Sequence, residues 1–174
     1  MRLSALLCLA LQVATPCLAE DFSDGRFRPP NIVLTDQTRQ PQDLRQVFAA
    51  GQVVMTFAYT TCDTICPLGN DVMAEIDTLA AADVTLLTVT IDPDTDTPAR
   101  MARAAREMEA SPRWLWLTGD RADIRRLLDA VDAPKGPIEL HDPIFVVADP
   151  DRRTYRRSLS LPVAADILAL LAGG

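Results

Sequence analysis

The chain is short of histidine, of basic charge and of long apolar runs, and each scarcity narrows what it can be. Its 174 residues include one histidine, His141. A centre built from several imidazoles is therefore excluded. The formal net charge is −7 at pH 7. Binding to nucleic acid needs a basic footprint that neutralises phosphates, so that class is set aside. No apolar run reaches the roughly 20 residues that a membrane span requires. Internal repeats and low-complexity tracts are lacking too. What remains is ordinary: 48% hydrophobic and 24% charged residues, on a length that suits one domain with a real core.

The first residues read as an export signal. Arg2 gives a positive start, and an apolar stretch broken only by Ser4 and Gln12 runs to Ala14. Small residues at Cys17 and Ala19 then precede Glu20 and Asp21. This pattern predicts a secretory signal over 1–19, cleaved after Ala19, with an uncleaved N-terminal anchor as the alternative. Pro16 before Cys17 argues against a lipid-attachment site. Loss of Arg2 moves the net charge from −7 to −8. The mature chain is expected outside the cytoplasm, in the periplasm.

Export also simplifies the cysteines. Cys8 and Cys17 leave with the signal, and Cys62 and Cys66 stay. An exported protein with two cysteines uses them as a disulfide, a metal site or a redox pair.

Residues 20–30 are polar, end in Pro29-Pro30 and are expected as a flexible lead-in to a folded domain over 31–174. Continuous apolar runs predict strands over 53–59, 84–91, 114–117 and 144–148. Apolar residues at Leu68, Val72, Ile76 and Leu79 have helical spacing. Thr97 with Pro98 is an N-cap followed by a proline in the first turn, so a helix runs from there to about Met108. Further helices are expected from Asp120 to about Val131 and over 164–172. Strands alternating with helices imply an α/β fold, with helices on both faces of a sheet.

The chemistry gathers at three residues. Cys62 and Cys66 lie between a buried strand and a helix start. Free N–H groups and the partial positive charge at a helix N-terminus favour thiolate over thiol. Cysteines four apart near a helical turn point to the same side and can grip one soft ion. A structural disulfide is the plain alternative, although so small a loop constrains the unfolded chain little. His141 sits in a loop before the 144–148 strand. One imidazole with two thiolates makes a three-ligand soft site that suits Cu(I), or Cu(II) with an added oxygen ligand. Structural zinc usually wants four ligands. Asp92 and Asp96 are weighed as turn and near-cap residues against a role beside the site. The arginines at 152, 153, 156 and 157 read as a solvated strand face.

The segment Phe57-Ala58-Tyr59-Thr60-Thr61-Cys62-Asp63-Thr64-Ile65-Cys66-Pro67 resembles the cysteine motif of the Sco/SenC family of copper-delivery proteins. The stretch from Thr90 to Pro98, with three residues between Asp92 and Asp96, resembles that family's acidic motif. Trp116-Leu117-Thr118-Gly119 and the late His141 match in kind and order. The likeness runs from about Phe27 to the C-terminus. It departs at Arg152-Arg153, where a glycine turn is common, and in the short stretch between Val131 and His141.

The resemblance implies a thioredoxin-like fold with a central mixed sheet, and a His141 loop lying beside the cysteine loop. It implies copper bound by Cys62, Cys66 and His141, with Asp92 and Asp96 behind the site or recognising a partner. It further implies a metallochaperone or thiol reductant for the dinuclear copper centre of cytochrome c oxidase. The partners would be the copper-accepting subunit and other copper chaperones or thiol reductants. A thioredoxin-type thiol–disulfide oxidoreductase without a metal role is the alternative. Three residues between the cysteines disfavour it, since dedicated exchange enzymes usually carry two. A peroxidase-like thiol enzyme ranks last, because no peroxidatic pattern is present.

Overall fold

The computed structural model describes residues 21–134 and 136–173. The expected signal over 1–19 lies outside them. Six strands form one sheet: β1 (Phe22–Arg26), β4 (Val53–Ala58), β5 (Thr85–Thr90), β6 (Trp114–Leu117), β7 (Phe145–Asp149) and β8 (Thr154–Ser158). Their order across the sheet is β1-β8-β7-β4-β5-β6. β4, β5 and β6 run parallel, whereas β7, β8 and β1 join antiparallel, so the sheet is mixed. A small second ribbon of β2 (Val33–Thr35) and β3 (Pro41–Asp43) is joined to the end of β6 by a single bridge between Thr35 and Thr118.

Helices cover both faces, as the alternation of strands and helices implies. Along β4, Val53, Met55 and Phe57 join one core, with Leu44 and Phe48 of α1 (Leu44–Ala49) and Ile124 and Leu127 of α4 (Arg121–Ala130). Val54, between them, points the other way. There it meets Met73 and Ile76 of α2 (Cys66–Leu79), Met101 and Ala105 of α3 (Pro98–Glu107) and Ile167 of α5 (Ala164–Ala172). This is the period of two expected of a strand, applied to a strand buried on both sides. All six residues of β4 are buried, so β4 is the structural centre and whatever its C-terminal end carries is firmly based.

Two features depart from the sequence reading. Residues 22–26, expected within a flexible lead-in, form an edge strand paired with β8 from Phe22 to Arg26. Two apolar side chains anchor the segment: Phe22 and Phe27 are buried, and Phe27 stacks edge-on against Phe48 at 4.6 Å. Gly25 fits here because it lies under the Tyr155 ring, which a Cβ would approach to 2.3 Å. The second is at Arg152 and Arg153: the sequence reading sets them on a strand face, and they lie instead in the turn between β7 and β8. Arg153 holds φ at 54°, a left-handed conformation that favours glycine. The neighbouring arginines are partly neutralised: Arg156 pairs with Asp24 at 2.8 Å and Arg152 with Asp149 at 3.2 Å. Among the described residues, no helix is long and apolar enough to cross a membrane.

Candidate functional site

The site begins where β4 ends. From Ala58 the chain surfaces, turns so that the Cys62 N–H donates to the Tyr59 carbonyl at 3.2 Å, and re-enters as α2 at Cys66. Asp96 fixes the start of this loop. Its side chain, 0% exposed, accepts from the Thr60 N–H at 3.0 Å and the Thr90 hydroxyl at 2.6 Å, and from the Thr60 hydroxyl. A buried carboxylate needs such donors. Three of them tie the cysteine loop to the end of β5. Asp92 works locally through its backbone: its N–H donates to the Thr90 hydroxyl at 2.9 Å, and its carbonyl accepts from the Asp96 N–H at 2.9 Å. The two aspartates therefore divide, with Asp92 shaping a turn and Asp96 reaching the cysteine loop.

The sulfurs are free thiols in unequal settings. Helix α2 has no side-chain oxygen at its N-cap, Ile65. Instead the Cys66 N–H donates to Cys62 Sγ at 3.3 Å. The sulfur thus sits among helix N–H groups that have no intrahelical acceptor, where negative charge is favoured. Burial opposes ionisation of Cys62, but hydrogen bonds from the Cys66 thiol and from the N–H groups of Cys66, Thr64 and Ile65 outweigh it. Its pKa falls to about 7. Cys66 is 3% exposed. Burial, its hydrogen bond to Cys62, and the nearby charges of Cys62 and Asp96 push its thiol up to about 12, against one favourable bond involving Tyr59. One thiol is therefore poised to ionise near neutrality while the other holds its proton.

His141 follows a short 3-10 turn, Ile138–Leu140. Its Nε2–H donates to the Phe57 carbonyl at 2.7 Å. A carbonyl only accepts, so Nε2 carries the hydrogen. Burial lowers the imidazole pKa, against the opposing effects of the Phe57 bond and the Asp142 charge. The neutral ring therefore keeps its lone pair on Nδ1. A ligating histidine is commonly oriented in this way, with one nitrogen bonded to a backbone carbonyl and the other available to a metal.

Cys62 and Cys66 line one cavity of about 250 Å³. His141 lines another, of about 670 Å³, with Arg121 and Arg125 of α4. Among the described residues, no three His, Cys, Asp or Glu side chains converge closely enough to hold a metal ion. The structure therefore brings the two sulfurs together and secures His141 to the strand that feeds their loop, without closing a three-ligand set. Sequence reasoning missed the Phe57 carbonyl, since a backbone acceptor leaves no residue-type signal. Trp116 and Asn70, which sequence reasoning did not single out as site residues, line the cysteine cavity.

The SCO1/SenC family model matches residues 30–135, more than half of the chain. The chain belongs to the SCO1/SenC family. Solved Sco structures are similar to it over most of their length. A SCO1/SenC family lipoprotein from Bacillus anthracis superposes with a TM-score of 0.73 at 20% identity, covering 86% of this chain and 96% of its own. ScoI from Bradyrhizobium japonicum with copper bound gives 0.64 at 24%, covering 86% and 97%. BsSco, a member of the Sco family of cytochrome c oxidase assembly proteins in which a disulfide switch was identified, gives 0.72 at 20%, covering 85% and 93%. At such identities the likeness establishes the fold: the mixed sheet with helices on both faces is the thioredoxin-like fold of Sco proteins. Among curated proteins, none matches the chain in sequence.

Proposed function

We propose that this Sco chain is an exported copper-binding protein that serves assembly of the dinuclear copper centre of cytochrome c oxidase. Cys62, Cys66 and His141 would be its copper ligands. Copper is its cargo, and the copper-accepting oxidase subunit is its partner. The observation that carries the reading is the capped Cys62–Cys66 pair together with a neutral His141 tied to the Phe57 carbonyl on the strand that feeds their loop. Two sulfurs and one imidazole nitrogen form the donor set that a soft or borderline copper ion prefers. Copper-bound ScoI from Bradyrhizobium japonicum supports the choice of metal. Because the triad is open, binding draws His141 and the cysteine loop together, and Nδ1 is the nitrogen free to coordinate. Asp96 acts behind the sulfurs by holding Thr60.

The test is competition of reduced protein against a Cu(I) chelator, with Cys62→Ser, Cys66→Ser and His141→Ala beside it. One copper per chain is expected, and either serine variant should lose tight binding. His141→Ala should weaken Cu(II) most and alter the sulfur-to-copper charge-transfer absorption. Full-strength binding by either serine variant would overturn the site. Thiol–disulfide exchange is the second reading, and the asymmetry of the two thiols favours it. An insulin-reduction assay separates it from copper binding: rapid turnover with no copper bound would install it instead.

A further inference from the structure

Strand β4 contains one polar side chain. In Val-Val-Met-Thr-Phe-Ala only Thr56 carries a hydroxyl, and it is 2% exposed. A buried hydroxyl costs free energy unless it is hydrogen-bonded. This one donates to the Ile144 carbonyl at 2.9 Å, across 88 residues of sequence. Ser158, the last residue of β8, is buried and used in the same way: its hydroxyl oxygen accepts the Phe145 N–H at 2.9 Å. Both bonds land where the chain leaves the His141 loop and enters β7.

The register shows what these hydroxyls replace. β7 pairs with β4 as far as Thr56 opposite Phe145, and with β8 as far as Arg157 opposite Val146. Continued by one pair, the two ladders would set Phe57 against Ile144 and Ser158 against Phe145. Pro143, next along, has no N–H and cannot extend a ladder. At those pairs side chains take over from the main chain. The Ile144 carbonyl is bonded by Thr56, the Phe145 N–H by Ser158, and the Phe57 carbonyl by the His141 Nε2–H at 2.7 Å. The end of the His141 loop is thus clamped from both neighbouring strands. Earlier in the loop the Leu140 N–H donates to the Pro137 carbonyl and the His141 N–H to that of Ile138, bonds that hold the turn's shape and not its place on the sheet.

We infer that Thr56 and Ser158 are positioning residues for His141: their hydroxyls fix where the loop meets the sheet, and so hold the imidazole on the Phe57 carbonyl with Nδ1 on offer. The clamp's consequence for copper rests on the proposed role of His141 as a ligand; its geometry stands without that role. Soft thiolates already select Cu(I), so the added imidazole counts for more with Cu(II). The clamp therefore sets the hold of the site on Cu(II), although neither hydroxyl is a ligand. A merely structural role would weaken both oxidation states alike.

The test has a copper-free arm and a copper arm. In reduced, copper-free protein, NMR of the imidazole should show a His141 Nε2–H protected from exchange by its bond to Phe57. Thr56→Val keeps the shape and removes the hydroxyl. It should speed that exchange roughly 10-fold, the scale of one lost buried hydrogen bond, and Ser158→Ala should act in the same direction. Thr56→Ser restores the hydroxyl and should restore protection. Gln37→Ala is the control: it loses the bond to the Trp114 carbonyl at 3.1 Å and the bond from the Trp116 N–H at 2.9 Å, at the β6 edge of the sheet, and should leave protection unchanged. With copper, Thr56→Val should lower Cu(II) affinity roughly 10-fold, as for a disturbed histidine ligand, and Cu(I) affinity by less than about 2-fold. An unprotected Nε2–H in the wild type, unchanged protection in Thr56→Val, no rescue by Thr56→Ser, or equal release by Gln37→Ala would each overturn the clamp. So would equal weakening of Cu(I) and Cu(II) by Thr56→Val where His141→Ala weakens Cu(II) selectively. If His141→Ala leaves Cu(II) binding unchanged, the copper role of His141 fails, and the exchange arm alone decides the clamp.

Discussion

Alkylation of the reduced, copper-free protein should be strongly selective for Cys62. The thiolate is the reacting form, so selectivity starts from ionisation. With pKa values of about 7 for Cys62 and about 12 for Cys66, roughly half of Cys62 is thiolate at pH 7, against about one part in 10⁵ of Cys66. That ratio is about 5 × 10⁴. Part of it is returned, because the more basic thiolate is the better nucleophile. A Brønsted coefficient of 0.4–0.5 over the gap of about five pKa units gives back roughly 100–300-fold. A net preference of about 150–500-fold remains, and burial of Cys66 at 3% exposure acts in the same direction. Limiting iodoacetamide, followed by peptide mapping over time, measures it directly. The Cys62 rate should level off above about pH 8, once its thiolate is fully formed. Equal labelling of the two cysteines, or a Cys62 rate still climbing tenfold per pH unit above pH 8, would refute the capping argument.

Two further outcomes follow from the surroundings of the site. Asp96→Ala strands the Thr60 N–H and the Thr60 and Thr90 hydroxyls, so stability should fall by about 2–4 kcal/mol in urea unfolding; a loss under about 0.5 kcal/mol would deny that Asp96 anchors the loop. His141 has its folded pKa lowered below the ordinary 6.5, so the unfolded chain takes the proton more readily. Its contribution is therefore complete above about pH 6.5 and is lost as pH falls through the lowered folded value. Urea midpoints at pH 7.5 and 5.5 should differ by more in the wild type than in His141→Gln, and equal differences would contradict burial of a neutral ring.

Periodicity made much of the fold legible. The strand over 114–117 and the helix over 164–172 have the bounds that patterning assigns, and Thr97 caps α3 by accepting the Arg100 N–H at 3.4 Å. These elements carry strong local signals: a proline in the first turn, an apolar run and a small N-cap. Strand β1 was not legible, because its sequence Phe-Ser-Asp-Gly-Arg is mostly polar and its stability comes from elsewhere. An edge strand needs one covered face, and here Phe22 and the pairing with β8 supply what composition does not show. Helix α2 begins at Cys66, two residues before its first periodic apolar residue, Leu68, because the helix start is set by a sulfur cap and Pro67.

For the site, the boundary of legibility falls between groups that carry a chemical label and groups that act through position. Cys62, Cys66 and His141 are visible because thiols and a single imidazole are rare and reactive. Phe57 is invisible as a functional residue, since its contribution is a carbonyl at the end of a buried strand. Yet that carbonyl decides which imidazole nitrogen is free, and so which atom can reach a metal. Asp96 lies between the two cases. Its spacing from Asp92 can be read as a motif, but turn geometry accounts for that spacing equally well. Only the 36-residue reach to Thr60 separates the roles. The same holds for Trp116: alternation with Trp114 on one strand marks at least one of the two as core, and the structure buries both but pairs only the Trp114 N–H. Residue type proposes the reactive atoms, and long-range hydrogen bonds decide which protons they hold and which lone pairs they offer.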